Sequence, residues 1–170
     1  MRQGKATHFS PDNSTYSGMF HEDKRHGLGS YTSHEGHFYE GTWHEDKEQG
    51  QGRTKYQNGD VHEGSYHQSE PEGLGFIFRV SGNVYEGMFH GGKPDGQGKL
   101  RKVDGDSYEG AFRRGRAHGV GKLTKANGLI YEGLFDEGEP HGQGKVTYNF
   151  KESGENQDES NPIMSILDYF

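Results

Sequence analysis

The chain contains no cysteine in its 170 residues. That excludes disulfide staples and thiolate metal sites and suits a reducing, cytoplasmic compartment. Long apolar runs are missing too. The longest is Phe76-Ile77-Phe78, far short of the roughly 20 residues a membrane-spanning helix needs. The opening MRQGKATHFS shows no hydrophobic signal segment. Aliphatic side chains are scarce, with Leu, Ile, Val and Phe together numbering 27, so no thick aliphatic interior can form. With a net charge of −7, such a composition lies close to that of disordered chains. Basic residues are the minority, 19 against 26 acidic, which disfavours a nucleic-acid partner.

Glycine and aromatic residues fill the gap: 29 Gly, ten Tyr, ten Phe and one Trp. They recur with a fixed period. Gly18, Gly41, Gly64, Gly87, Gly110 and Gly133 are spaced 23 residues apart without insertion. Two residues before them stand Tyr16, Tyr39, His62, Tyr85, Tyr108 and Tyr131; two after stand Phe20, Trp43, Tyr66, Phe89, Phe112 and Phe135. Gly-x-Gly pairs open at Gly27, Gly50, Gly73, Gly96, Gly119 and Gly142, and turn glycines follow at Gly36, Gly59, Gly82, Gly105 and Gly128. Self-similarity at such a period marks a repeat architecture.

Spacing by two places Tyr, Gly and the second aromatic on one face of a strand. A charged turn follows, then a second short strand running from Gly-x-Gly to Asn-Gly or Asp-Gly, a favoured tight-turn dipeptide. Each unit therefore reads as a β-hairpin, and successive units as an antiparallel meander. Helix is excluded because each interior Gly would cost about 1 kcal/mol. A lone hairpin is marginal in water. If the Gly-x-Gly glycines share a face with the rings, each ring can lie flat over bare backbone and bury itself without a second layer. The predicted fold is all-β, an elongated single-layer twisted sheet over residues 1–150. It comprises a partial repeat at 4–15 and repeats starting near 16, 39, 62, 85, 108 and 131. At roughly 10 Å per two strands, the sheet would be on the order of 60 Å long.

Tyr-Glu-Gly-x-aromatic, a charged turn, His-Gly-x-Gly and Asn/Asp-Gly together resemble the MORN (membrane occupation and recognition nexus) repeat, as in NGLIYEGLFDEGEPHGQGK at 127–145. Departures are local: His62 stands for Tyr, Gln49, Glu72 and Asp95 for His, and Ser17 for Glu. The resemblance implies a rod-like, groove-forming sheet with no catalytic residues of its own. It also implies roles in scaffolding, in cytoskeletal or ciliary assemblies, at membrane junctions, or as an accessory part of an enzyme.

Several residue patterns imitate chemistry. Gly96-Gln97-Gly98-Lys99 has a strand context and lacks the helix N-terminus a phosphate loop requires. His21, His44, His67 and His90 share a phase, as do His26, His118 and His141, but in-phase side chains about 10 Å apart cannot converge on one ion. No metal or cofactor is expected. Protonating all 11 His would move the net charge from −7 to +4, so pH-sensitive association is an expectation. Glu40, Glu63, Glu86, Glu109 and Glu132 lie too far apart for acid–base pairs. They are expected to form a cross-strand ladder with Lys99, Lys122 and Lys145 on the face opposite the rings. No small-molecule substrate is expected.

Three candidate surfaces remain. Trp43, Tyr85, Phe89, Tyr108, Phe112, Tyr131 and Phe135 are expected to floor a groove for a helix or extended peptide. Lys93, Lys99, Arg101, Lys102, Arg113, Arg114, Arg116 and Lys122 form a basic block on an acidic chain, suited to anionic lipid or an acidic partner. Beyond an acidic linker at 151–160 lies NPIMSILDYF, in which Ile163, Ile166, Leu167 and Phe170 fall on one helical face. Ten residues do not hold a helix alone, so this segment is expected to cover the last hairpin or dock on a partner. The function expected is a non-enzymatic protein-binding scaffold, cytoplasmic and by resemblance cytoskeletal or ciliary. The alternatives are a peripheral membrane adaptor and a regulatory subunit of an enzyme; homo-oligomerisation is open.

Overall fold

Alternation of ring, glycine and ring dictates strands, and strands are what form. The computed structural model describes residues 1–149, and among them every regular element is a strand. They are β1 (Gly4–Phe9), β2 (Thr15–His21), β3 (Lys24–Thr32), β4 (Phe38–His44), β5 (Lys47–Lys55), β6 (Val61–His67), β7 (Glu70–Phe78), β8 (Val84–His90), β9 (Lys93–Arg101), β10 (Ser107–Arg113), β11 (Arg116–Thr124), β12 (Leu129–Asp136) and β13 (Glu139–Tyr148). The fold is thus all-β, thirteen strands in open antiparallel sheet.

The chain divides into two compact units, Met1–Lys93 and Pro94–Phe170. In the first, β1 to β8 pair antiparallel in chain order. In the second, β9 to β13 do the same. The register repeats in every hairpin. Gly18 faces Gly29, Gly41 faces Gly52 and Gly64 faces Gly75 in the first unit; Gly110 faces Gly121 and Gly133 faces Gly144 in the second.

The two glycines of each Gly-x-Gly prove to have different tasks. The second lies beneath a ring: a Cβ at Gly52 would come within 2.6 Å of the Tyr39 ring. The first sits where the register shifts, just past the facing glycine pair, and holds a left-handed backbone, with φ of 71° at Gly50 and 83° at Gly73. Such a bulge demands a residue without a Cβ penalty. The expectation that both glycines lie under the rings therefore holds only for the second.

The turns also differ from expectation. Two-residue turns close the hairpins at Glu22-Asp23 (φ 49° and 64°), Glu45-Asp46 (47° and 68°) and Gln68-Ser69 (53° and 70°). Positive φ at both positions matches the twist of the flanking strands. The Asn-Gly and Asp-Gly dipeptides lie instead in five-residue loops such as 56–60, where the Tyr56 N–H donates to the Asp60 carbonyl at 2.9 Å and the Gly59 N–H to the Tyr56 carbonyl at 2.9 Å. Acidic side chains tie loop to loop. Asp60 accepts from the Val80 N–H at 2.9 Å, and Asp106 from the Ala126 N–H at 3.0 Å. Tight turns are tied as well: the Asp46 N–H donates to the Arg25 carbonyl at 3.0 Å, while Asp46 Oδ1 accepts from the Arg25 N–H at 2.9 Å. Side chains thus supply the spacing between consecutive hairpins that the backbone ladder alone leaves free at its ends.

Candidate functional site

One face of each unit carries the aromatic ladder. Each Tyr meets the second ring of its own repeat edge to face, with centroids 5.0 Å apart for Tyr39–Trp43, 5.2 Å for Tyr85–Phe89, 5.1 Å for Tyr108–Phe112 and 5.3 Å for Tyr131–Phe135. Tyr16, Tyr39 and Tyr108 also receive the second ring of the following repeat: Tyr16 meets Trp43 at 5.4 Å and Tyr108 meets Phe135 at 4.7 Å. These T-shaped pairs match the ring quadrupoles and stabilise beyond area burial. The Tyr hydroxyl reaches past the glycine pair and donates to the carbonyl three residues on. Tyr39 reaches Thr42 at 3.0 Å, Tyr85 reaches Met88 at 2.9 Å and Tyr108 reaches Ala111 at 2.8 Å. Burial pushes the Tyr108 phenol up to about 12.

All seven rings named as a groove floor are consequently buried: none of Trp43, Tyr85, Phe89, Tyr108, Phe112, Tyr131 and Phe135 exposes more than 6% of its surface. They are the core of the fold, and a partner on this side meets what stands around them. In the first unit that rim includes Arg25, Tyr31, His37, Glu48 and Tyr56, all half-buried. The Arg25 guanidinium lies 4.1 Å from the Trp43 ring centroid, a cation–π contact, and donates to the Asp46 carbonyl at 2.8 Å. Glu48 is paired across the strands with Trp43. Burial pushes its carboxyl up to about 7, with nearby Arg25 acting in the opposite direction. Among the described residues the Glu48 carboxylate has no hydrogen-bond or ion-pair partner. The Tyr56 phenol is raised too, first by burial and then by the Glu48 charge.

The opposite face carries the expected ladder. Lys99 pairs with Glu109 at 2.9 Å, Lys122 with Glu132 at 2.8 Å and Arg53 with Glu63 at 2.8 Å. In β7 the basic position is taken by Phe76, which stacks on Phe78 with centroids 6.2 Å apart. Leu74 lies on the same face and pairs with Met88 across the strands; all four are exposed. This apolar row is not apparent from the sequence pattern, although Phe76 lies 23 residues before Lys99 and so occupies a ladder position.

The basic block is spread out. Lys99 and Lys122 belong to the ladder face. Lys93 opens β9, Arg101 closes it, and Lys102 begins the next loop. Arg113, Arg114 and Arg116 cluster at the β10–β11 turn, with Arg113 facing Arg116 and Arg116 bound to Glu137 at 2.5 Å. Histidines of different phase meet where those of one phase cannot: the His26 ring lies 5.6 Å from His21 and 4.9 Å from His44. Among the described residues no group of three His, Asp or Glu is placed to hold a metal ion. Ile163, Ile166, Leu167 and Phe170 lie outside the described residues.

A face built from tandem hairpins, sealed by rings over glycine, defines a β-hairpin repeat protein. MORN repeats match at residues 16–38, 39–61, 85–107, 108–130 and 131–149, and the chain belongs to the MORN repeat family. The unmatched stretch 62–84 holds His62 and Phe76, yet β6 and β7 keep the same register, with Gly64 facing Gly75. No curated protein matches the chain. Among solved structures it is similar to the TCP domain of SAS-4 (dCPAP) of Drosophila melanogaster, solved in complex with a proline-rich motif of Ana2 (dSTIL). The TM-score is 0.47 at 15% identity, covering 85% of this chain and 72% of that one.

Proposed function

We propose that the protein is a non-enzymatic MORN-repeat scaffold that binds a protein segment, helical or extended, along its ring face within a larger cytoskeletal or ciliary assembly. One observation carries the reading: the Glu48 carboxylate stands half-buried opposite Trp43, feels the Arg25 charge, and has no hydrogen-bond or ion-pair partner among the described residues. A half-desolvated acid kept near neutrality gains most from an incoming cation. A Lys or Arg of a bound segment would pair with it, with Tyr31 and Tyr56 beside the rings as amphipathic contacts of the sort enriched at interfaces. The ring ladder itself is the rigid floor, already paid for by folding.

Selection of displayed peptides against the full-length chain tests this. Selected peptides are expected to carry a basic residue, to lose binding on Glu48→Lys and Tyr56→Ser, and to keep it on Phe76→Ser. Peptides indifferent to Glu48 and Tyr56, or none at all, refute the ring-face reading.

A second reading, a peripheral adaptor on anionic lipid, draws on the exposed Arg113, Arg114 and Arg116 at one hairpin turn. Flotation with anionic vesicles, lost in the triple Glu variant, would support it; no flotation with the wild type ends it.

A further inference from the structure

Within each unit the ring ladder runs by a rule: the first ring of one repeat receives the second ring of the next. In the first unit Tyr16 receives Trp43 at 5.4 Å, Tyr39 receives Tyr66 at 5.2 Å and His62 receives Phe89 at 4.7 Å. In the second, Tyr108 receives Phe135 at 4.7 Å. For Tyr131 the corresponding second-ring position, 23 residues after Phe135, is Asp158, which has no ring to offer. Among the described residues Tyr131 has Phe135 alone as a ring neighbour.

A cleft of about 460 Å³ lies at this unfinished end, with Leu123, Leu129, Tyr131, Pro140 and Val146 in its wall. The described chain also ends here. The Asn149 N–H donates to the Gly128 carbonyl at 2.8 Å, and the residues on either side of Gly128, Asn127 and Leu129, both line the cleft. The chain therefore departs beside the opening. Residues 151–161 are polar or glycine, and beyond Pro162 come Ile163, Ile166, Leu167 and Phe170 at helical spacing. The intervening residues 150–162, at about 3.3 Å each, span up to roughly 40 Å, ample for a return to the cleft.

We infer that residues 161–170 dock in cis in this cleft, their apolar face taking the place of the ring a further repeat would have supplied. The segment ends the repeat array. It covers the half-buried Leu123 and Leu129 and blocks continuation of the ladder by another chain. This is independent of what the ring face of the first unit binds.

The absence of native cysteine makes a spin-label test clean. A nitroxide on Ser165→Cys, opposite the apolar face of the segment, is expected to broaden the amide signals of Leu123, Leu129 and Val146 in the full chain while leaving Leu28 and Leu74 sharp. Adding Ile166→Asp and Leu167→Asp to the labelled chain is expected to abolish the broadening, while the β2–β13 signals stay dispersed. Broadening absent from the cleft, or equal at Leu28, overturns the inference. So does broadening that passes undiminished from a labelled, isotope-silent chain to an unlabelled, isotope-enriched one, since the occupant would then be a second copy.

Discussion

The Tyr66 hydroxyl lies 2.7 Å from His62 Nδ1 and 2.6 Å from Thr54 Oγ1. Where the first ring is Tyr, as at Tyr39 and Tyr108, its hydroxyl donates to a carbonyl and the second ring is Trp or Phe. The repeat at 62–84 exchanges the polar atoms: the hydroxyl moves from the first position to the second, where it hydrogen-bonds with His62 and Thr54, donating to one of them and accepting from the other. The exchange leaves His62 Nε2 buried and without a hydrogen-bond partner. It also keeps the ladder geometry, since His62 still meets Tyr66 at 5.0 Å and Phe89 at 4.7 Å.

Tyr66→Phe removes that hydroxyl and strands His62 and Thr54 together. A loss of about 1–2 kcal/mol is expected, read from urea unfolding. The double variant His62→Tyr with Tyr66→Phe restores the pattern of the other repeats, removes the orphaned nitrogen, and is expected to match or exceed the wild type.

Burial pushes His62 down to about 4 from its ordinary 6.5. The folded state holds the imidazole neutral, whereas the unfolded chain takes up a proton below 6.5. The contribution to stability is therefore complete above pH 6.5 and declines as the pH falls to about 4, by at most about 3 kcal/mol. Denaturation midpoints measured between pH 7 and 4 should fall less steeply in His62→Tyr than in the wild type.

Glu48 has the opposite slope. Its folded value of about 7 exceeds the ordinary 4.5, so the unfolded chain releases this proton first. Stability from this site is complete below pH 4.5 and is lost as the pH rises to 7, by about 2–3 kcal/mol. Glu48→Gln is expected to be more stable than the wild type at pH 8 and close to it at pH 4. Equal stability at both pH values would show that the carboxyl is fully solvated.

Gly52 and Gly50 belong to one Gly-x-Gly and should respond differently to Ala. At Gly52 the new Cβ meets the Tyr39 ring within 2.6 Å, so the ring must leave its seat, at a cost of about 3 kcal/mol or more. At Gly50 the nearest atom is 3.8 Å away and only the left-handed backbone (φ 71°) resists, for about 1–2 kcal/mol. Near-ultraviolet circular dichroism should change in Gly52→Ala and stay unchanged in Gly50→Ala.

Much of this protein was legible in its sequence because a period of two within strands and a period of 23 between hairpins leave one consistent alternation. Strand identity, antiparallel order, the ring face and the Lys–Glu ladder all derive from it. Register across neighbouring strands decided the remainder. The charged dipeptides, with no glycine at Glu22-Asp23, make the tight turns, because the bulge at the first glycine shifts where the strands can close. Burial of Trp43 and Phe135 came from rings of adjoining repeats packing on each other, a contact between residues 23 or more apart. Local pattern does not encode it. The same holds for Glu48, a charged residue in a charged stretch by sequence, which the facing of β4 and β5 turns into a half-buried acid beside an aromatic core.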